Sequence, residues 1–330
     1  MKNSGFLLMI FSLITLLACD KTGKQQKSNE SIVEDSISAQ TIDDITGYYV
    51  TDDYFKRDEG YDWMVVTIEA IGQQEAYLQI QSRSDKKKPT CTFEGLGILD
   101  EDGDLKVDIE GKSILFKVDR TGLAISTEPE SDKDFLMYFC SGGGNFAGTY
   151  AKLEASLDTS QLQQSGYNQQ LSLQGIAFDI HASQQGSLNI LIIRPSGLEI
   201  DNRPFFHSID GNVTHAEIED LNSDGSPEVL AYISSAGSGS YGSVIGYSVN
   251  NKKSMSQVYL PPITEDPELS EGYMGHDEFA IVETTFARRF PVYKAGDSNN
   301  NPTGGIRQVQ YKLVDGEASR YFKVDKVVEY

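Results

Sequence analysis

Between residues 47 and 153 apolar and polar side chains alternate in short runs, MVVTIEA, AYLQIQS, CTFEGLGIL, DLKVDI, SILFKV, GLAIST and DFLMYFC, separated by turns rich in Gly, Asp, Asn or Lys. A period of two sends one set of side chains into a core and the other into solvent, the pattern of half-buried strands. Asp102-Gly103, Glu110-Gly111 and Thr121-Gly122 stand where hairpins need a residue tolerant of positive φ. This stretch predicts a small antiparallel barrel over 46–153. Residues 154–172 (EASLDTSQLQQSGYNQQLS) are Gln- and Ser-rich with little periodicity, and predict a connection with room for a short helix. Strand-like runs then resume: GIAFDIHAS, SLNILIIRP, HAEIEDL, PEVLAYISS, SVIGYSV, QVYLPP, EFAIVETTFARRFPVY, IRQVQYKLV and YFKVDKVV. Strands in such number with no helical pattern between them predict a β-sandwich over 173–330. The expected fold class is all-β, a small antiparallel β-barrel followed by a β-sandwich, with no internal repeat joining the halves.

The amino-terminal end follows a different pattern. Lys2 precedes an apolar run at 6–17 (FLLMIFSLITLL), and the small Ala18 stands directly before Cys19, the three parts of a secretory signal. The run is too short for the roughly 20 residues that span a bilayer core. Residues 20–44 are polar and poor in aromatics, so they cannot bury enough surface to offset their ordering entropy. Leu16-Leu17-Ala18-Cys19 resembles the lipobox of a bacterial lipoprotein precursor. That resemblance implies a signal peptide over 1–18, a lipidated (palmitate-bearing) Cys19, and an anchor with disordered tether over 19–45. Several acyl chains together hold such a protein firmly on a membrane. It would face the periplasm from the inner or the outer membrane. An ordinary cleaved signal is the other reading.

Charge narrows the partners. A formal net charge of −21 argues against nucleic acid and favours encounter with basic partners, although acidity also keeps exported proteins soluble. Three cysteines are present. If Cys19 carries lipid, Cys91 and Cys140 remain, and an oxidising compartment would bridge them. Closing that loop stabilises by up to about 4 kcal/mol in the chain-entropy model. Two buried thiols are the alternative.

Signals for catalysis are missing, and the chain is expected not to be an enzyme. No G-x-S-x-G elbow or H-E-x-x-H pair occurs, and His181, His207, His215 and His276 are scattered, His276-Asp277 beside Glu278 being the one pairing of note. No cofactor is implied apart from calcium. Asp220, Asn222, Asp224 and Glu228 space oxygen ligands as calcium loops do, with Gly225 at the sharp turn, but Ala231 stands where an EF-hand needs its last ligand. Two readings stay open, a loose calcium turn and an Asx-rich hairpin whose carboxylates accept backbone N–H groups. Gly237-Ser238-Gly239-Ser240-Tyr241-Gly242 satisfies G-x-G-x-x-G, but a strand pattern follows where a dinucleotide site needs a helix. A side-chain-poor loop with one Tyr, between two convincing strands, suits close approach to another surface.

At that loop the sequence resembles a family. Ser238-Gly239-Ser240-Tyr241 matches the S-G-x-Y loop of the periplasmic inhibitors of invertebrate-type lysozyme, and AEIEDLNSDGSPEVLAYISSAGSGSYGSVIGYSV resembles the adjoining strand, turn and strand. The resemblance implies a lysozyme partner whose cleft, with its two carboxyl groups, receives the loop. Ser238 would bond a carboxylate, Gly239 would let the chain fit where sugar lies, and Tyr241 would fill a subsite, Ser240 holding the variable position. The alternative is a non-catalytic envelope binding or scaffolding lipoprotein. Two further loops are less specific. One, at 140–150, carries glycines after Cys140 and reads as a structural turn, a second inhibitory loop being the alternative. The other, at 272–313, sets Arg288, Arg289, Asp297 and Arg307 around DSNNNPTGG, and reads as a long hairpin whose arginines balance local carboxylates, a binding loop being the alternative.

Overall fold

The structure, a computed structural model, describes residues 41–330 apart from Pro89, Arg120, Gln164, Ser165 and 185–187. The signal-like run, Cys19 and most of the expected tether lie outside the described residues. Among the described residues no helix is long and apolar enough to cross a membrane.

Eight antiparallel strands close a barrel: β1 (Gly47–Val50), β2 (Met64–Ala70), β3 (Glu75–Ser82), β4 (Thr92–Leu99), β5 (Leu105–Ile109), β6 (Lys112–Val118), β7 (Gly122–Glu128) and β8 (Gly148–Leu153). Six of the seven alternating runs are strands. Closure comes from β1 and β8, which pair with each other, Tyr49 opposite Lys152. Eight strands leave a lumen just wide enough for side chains to fill. Tyr49, Leu78, Phe93, Phe116, Ile125 and Phe146 pack it. A short helix α1 (Ile42–Ile45) buries Ile42 and Ile45 in the same core, and its Ile45 carbonyl accepts from the Tyr49 hydroxyl at 2.7 Å. The end of the expected tether is therefore docked. The seventh run, DFLMYFC, is not a strand but part of a 3-10 segment, Glu130–Phe139. Its buried Phe135 and Leu136, with Phe139 packed alongside, follow helical spacing rather than alternation. Cys140 at its end is bonded to Cys91. Glu110 (φ 51°) and Gly111 (φ 78°) form the expected positive-φ hairpin pair. Gly122 has no such role: a Cβ there would lie 2.3 Å from the Tyr150 carbonyl oxygen, so close strand approach requires the glycine.

Three four-stranded meanders follow. The first holds β9 (Tyr167–Leu173), β10 (Ile176–Ala182), β11 (Leu188–Ser196) and β12 (Phe205–Asp210). β13 (Asn212–Glu219), β14 (Glu228–Ser234), β15 (Gly242–Asn250) and β16 (Ser254–Val258) make the second. After helix α2 (Pro267–Ser270) come β17 (Glu278–Val282), β18 (Thr285–Pro291), β19 (Ile306–Val314) and β20 (Tyr321–Glu329). The fold is all-β, a barrel followed by packed sheets. The sandwich, however, has three layers. β14 is buried on both faces: Val229, Ala231 and Ile233 pack toward the first meander, and Leu230 and Tyr232 toward Phe279, Phe286 and Phe322 of the third. A strand buried on both sides must be a continuous apolar run, which VLAYI is. β11 does the same, Leu191 and Ile193 facing the second meander and Ile190 and Ile192 facing Tyr77 of the barrel. A bidentate pair, Arg194 to Glu69 at 2.5 and 2.8 Å, joins the barrel to the first meander. β9 occupies the stretch expected as a connection; its alternate residues are only half-buried, so its periodicity is faint.

Candidate functional site

Both ends of β14 carry polar loops, and the fold treats them differently. At its start, between β13 and β14, lie the residues considered for calcium. Asp220 accepts the backbone N–H groups of Asp224 and Gly225, each at 2.9 Å, and the Gln174 amide at 2.8 Å. Asn222 Oδ1 accepts the Asp224 N–H at 3.1 Å, while Asp224 accepts the Ser226 N–H at 2.9 Å and the Arg320 guanidinium at 2.7 Å. Glu228 is fully buried and accepts the Leu221 N–H at 2.8 Å and the Ser248 hydroxyl at 2.6 Å, with Arg320 at 3.8 Å. Burial pushes the Glu228 carboxyl up to about 7, against the pull of those donors. Among the described residues no group of three or more His, Cys, Asp or Glu is placed to hold a metal ion. The arrangement is that of an Asx-rich turn in which Arg320 supplies the positive charge.

At the other end, residues 235–241 connect β14 to β15. The loop closes on itself through Ser235 N–H to the Tyr241 carbonyl and Tyr241 N–H to Ser235 Oγ, both 2.9 Å, and through Ser240 N–H to the Gly237 carbonyl at 3.0 Å. Two of its carbonyls are held by the third meander's loops. His276 N–H donates to the Gly239 carbonyl at 2.7 Å, and Asn299 Nδ2 donates to the Ser238 carbonyl at 2.9 Å. Asn299 is itself placed by His276 Nε2 at 3.1 Å and by Tyr293, whose hydroxyl donates to the Asn299 carbonyl at 2.8 Å. Asp297 shapes that support, accepting the backbone N–H groups of Lys294 and Thr303 at 2.7 and 2.8 Å; these donors hold its carboxyl below the usual range.

Close approach requires the glycines here. A Cβ on Gly239 would stand 2.5 Å from the Tyr241 ring, and one on Gly275 would stand 2.1 Å from the Gly239 carbonyl oxygen. Under the loop lies an ion pair almost sealed from water, Arg288 Nε to Asp277 Oδ1 at 2.7 Å. The other Asp277 oxygen accepts the Tyr273 hydroxyl and the Gly242 N–H, both at 2.6 Å, so the buried charge grips the first residue of β15. Burial and then Asp277 drive the Tyr273 phenol well above its ordinary range.

What the loop presents outward is Ser238, exposed, and Tyr241, 50% exposed, whose ring meets Tyr273 edge-on at 5.7 Å. Neither the Ser238 hydroxyl nor the Tyr241 phenol bonds another described residue. No residue of 235–241 is charged. The four candidate residues Ser238, Gly239, Ser240 and Tyr241 thus lie on one loop braced by the third meander, with Ser238 and Tyr241 exposed. Tyr273, His276, Asp277, Arg288 and Asn299, which position it, all lie in the 272–313 segment noted in the sequence, where Arg288 reads as balancing a carboxylate and His276-Asp277 as a pairing, but nothing there ties them to the glycine loop.

The other candidates sit apart. His181 contacts Asn168, His207 contacts Tyr247 and His215 packs on Tyr232, so the four histidines converge on no common centre. Arg307 is buried against Glu329 and the α2 carbonyls of Glu268 and Leu269. The glycines at 142–144 follow the disulfide and lead to the buried Phe146.

A model of the family described as periplasmic lysozyme inhibitor of I-type lysozyme matches residues 181–264. The match runs from the end of β10 to just past β16 and centres on the second meander, with the 235–241 loop inside it. It excludes the barrel and the third meander. No curated relative matches the chain. Among solved structures, the catalytic domain of a Coprinopsis cinerea GH62 α-L-arabinofuranosidase aligns over 83% of this chain and 88% of its own at 10% identity. The TM-score is 0.20.

Proposed function

We propose that this chain is a cell-envelope inhibitor of an I-type lysozyme and acts by seating the 235–241 loop in the enzyme's sugar-binding cleft. The observation that carries this reading is the loop's construction. Its backbone is tied at Ser238 and Gly239 to the third meander while the Ser238 and Tyr241 hydroxyls stay unbonded, and it lies inside the stretch similar to the inhibitor family. A rigid loop loses little conformational entropy on binding, so more of its contact energy appears as affinity. The Ser238 hydroxyl can donate to a cleft carboxylate, and Tyr241 offers a flat apolar ring with a polar tip to a subsite that receives sugars. Occupying the cleft excludes substrate without chemistry, so no catalytic group is required. The chain's acidity would draw in a basic enzyme, an effect that salt weakens.

In this reading Cys19 carries the lipid that holds the protein on the periplasmic side of a membrane. Radiolabelled palmitate should enter the wild-type chain and not Cys19→Ser; labelling of both would remove Cys19 as the anchor. The inhibitory claim is tested with a soluble chain beginning at Ala39, which keeps α1 in the barrel. It should slow cell-wall lysis by an I-type lysozyme, and Ser238→Ala combined with Tyr241→Ala should abolish the effect. Equal inhibition by the double variant would take the loop out of the mechanism.

A further inference from the structure

The pose of the Tyr241 ring is set largely from outside its own loop. Its Cε2 edge lies against Gly239, where a Cβ would stand 2.5 Å away, and its Cδ1 edge lies against Gly275, where a Cβ would stand 3.2 Å away. Gly275 belongs to the connection from α2 to β17. So does Tyr273, whose half-buried ring meets the Tyr241 ring edge-on at 5.7 Å and 73°. Two of these three neighbours therefore lie outside the stretch similar to the inhibitor family.

Tyr273 is itself firmly held. Its ring stands edge-on to Phe290 at 4.9 Å, with the Arg288 guanidinium 5.1 Å from its centre. Its hydroxyl donates to Asp277 Oδ2 at 2.6 Å and accepts from Arg288 Nη2 at 2.8 Å. The same Asp277 oxygen accepts the Gly242 N–H, also at 2.6 Å. One buried carboxylate thus places both the backbone that follows Tyr241 and the ring on which Tyr241 leans. A half-exposed side chain without such a neighbour samples several rotamers and gives up that freedom when a partner binds, so a ring held in advance binds more tightly.

We propose that Tyr273 is a positioning residue for inhibition: it acts through Tyr241, holding that ring in the orientation that enters the lysozyme cleft. The proposal rests on the inhibitory reading and deepens it, because the affinity of the loop then depends on a residue outside the matched stretch.

The test is a double-variant cycle on the inhibition of a purified I-type lysozyme by the intact chain: wild type, Tyr273→Leu, Tyr241→Ala and the two combined, with Tyr273→Phe as the conservative control and thermal melting of each. Tyr273→Phe loses the hydroxyl but keeps the ring, and should inhibit within about twofold of wild type. Tyr273→Leu loses both and should inhibit about three- to tenfold more weakly, the worth of an edge-to-face ring contact. In the Tyr241→Ala background the same change should alter inhibition by less than about twofold. A loss equal in the two backgrounds, or as large for Tyr273→Phe as for Tyr273→Leu, would mean that Tyr273 supports the fold without setting the ring, and the loop reading would stand without it. Should Tyr273→Leu not fold, nuclear Overhauser contacts between the two rings in tyrosine-labelled wild type decide: their presence with full inhibition by Tyr273→Phe upholds the proposal, and their absence overturns it. A wild-type chain that leaves the lysozyme fully active overturns the inhibitory reading as well.

Discussion

The two loops at the ends of β14 are built on opposite plans. The Asp220–Ser226 turn is rich in polar side chains, and it spends them on itself: the side chains of Asp220, Asn222 and Asp224 bind backbone or Arg320. The 235–241 loop is poor in side chains; it closes on itself, His276 and Asn299 from elsewhere hold two of its carbonyls, and Asp277 holds Gly242 just beyond it. The first has its carboxylates engaged within the fold. The second leaves the Ser238 and Tyr241 hydroxyls without a partner among the described residues. Density of polar residues is therefore a poor guide to a binding site; a better one is whether the side chains remain unsatisfied after the backbone has been fixed.

The contrast breaks most readily at the charge beneath the glycine loop. Arg288→Ala leaves Asp277 buried without its cation, which by comparison with other broken buried pairs costs about 3–5 kcal/mol of stability. Urea denaturation should show it, and inhibition should fall with it because Asp277, which holds Gly242, loses the guanidinium that fixes it. Tyr241→Ala, by contrast, removes an exposed ring whose main internal contact is Tyr273. It should weaken inhibition by about 30-fold, as hot-spot tyrosines do, with little change in melting. If both variants lost only stability, the loop would be a structural hairpin.

A smaller effect belongs to the other end. Glu228 has its pKa raised from 4.5 to about 7, first by burial. Between those values the folded protein keeps a proton that the unfolded chain has released, so stability falls as pH rises through that window and the loss is complete above it. Glu228→Gln should flatten the profile, shrinking the stability difference between about pH 4 and pH 8 by on the order of 2 kcal/mol. An unchanged slope would mean that Arg320 keeps Glu228 ionised throughout.

How much of this was legible from residue order depends on where the contacts come from. Strands with strong alternation, and β14 with its unbroken apolar run, announce their burial locally. β1 and β8 do not: GYYV is too short to show a period, yet it closes the barrel. DFLMYFC has the composition of a strand but the spacing of a turn of helix. The Ser238–Tyr241 loop could be placed between two strands because glycine and serine mark turns. Its supports could not, since Asp277 lies 35 residues beyond Gly242 and Asn299 lies 61 beyond Ser238. Only the stacking of the third meander on the second brings them together. The arginines of 272–313 were legible in kind, as partners of carboxylates, but not in identity, Arg288 pairing with Asp277 and Arg307 with Glu329.

The smallest expected effect is the one that separates the two loops most sharply. Were Asp220, Asn222, Asp224 and Glu228 a calcium site with a dissociation constant near 10 μM, about 1 mM calcium would stabilise the fold by about 2.7 kcal/mol and raise the melting temperature by several degrees. The ligand oxygens are instead directed at backbone N–H groups, and Arg320 already places its charge against Asp224 and near Glu228. To bind, calcium would have to displace a guanidinium held also by Asp315 at 3.2 Å and break several short hydrogen bonds within the turn. Melting in calcium and in chelator should therefore coincide. Arg320→Ala is the variant that could open the site: a calcium-dependent rise appearing only there would show that the turn's geometry fits the ion and that the arginine stands in its place.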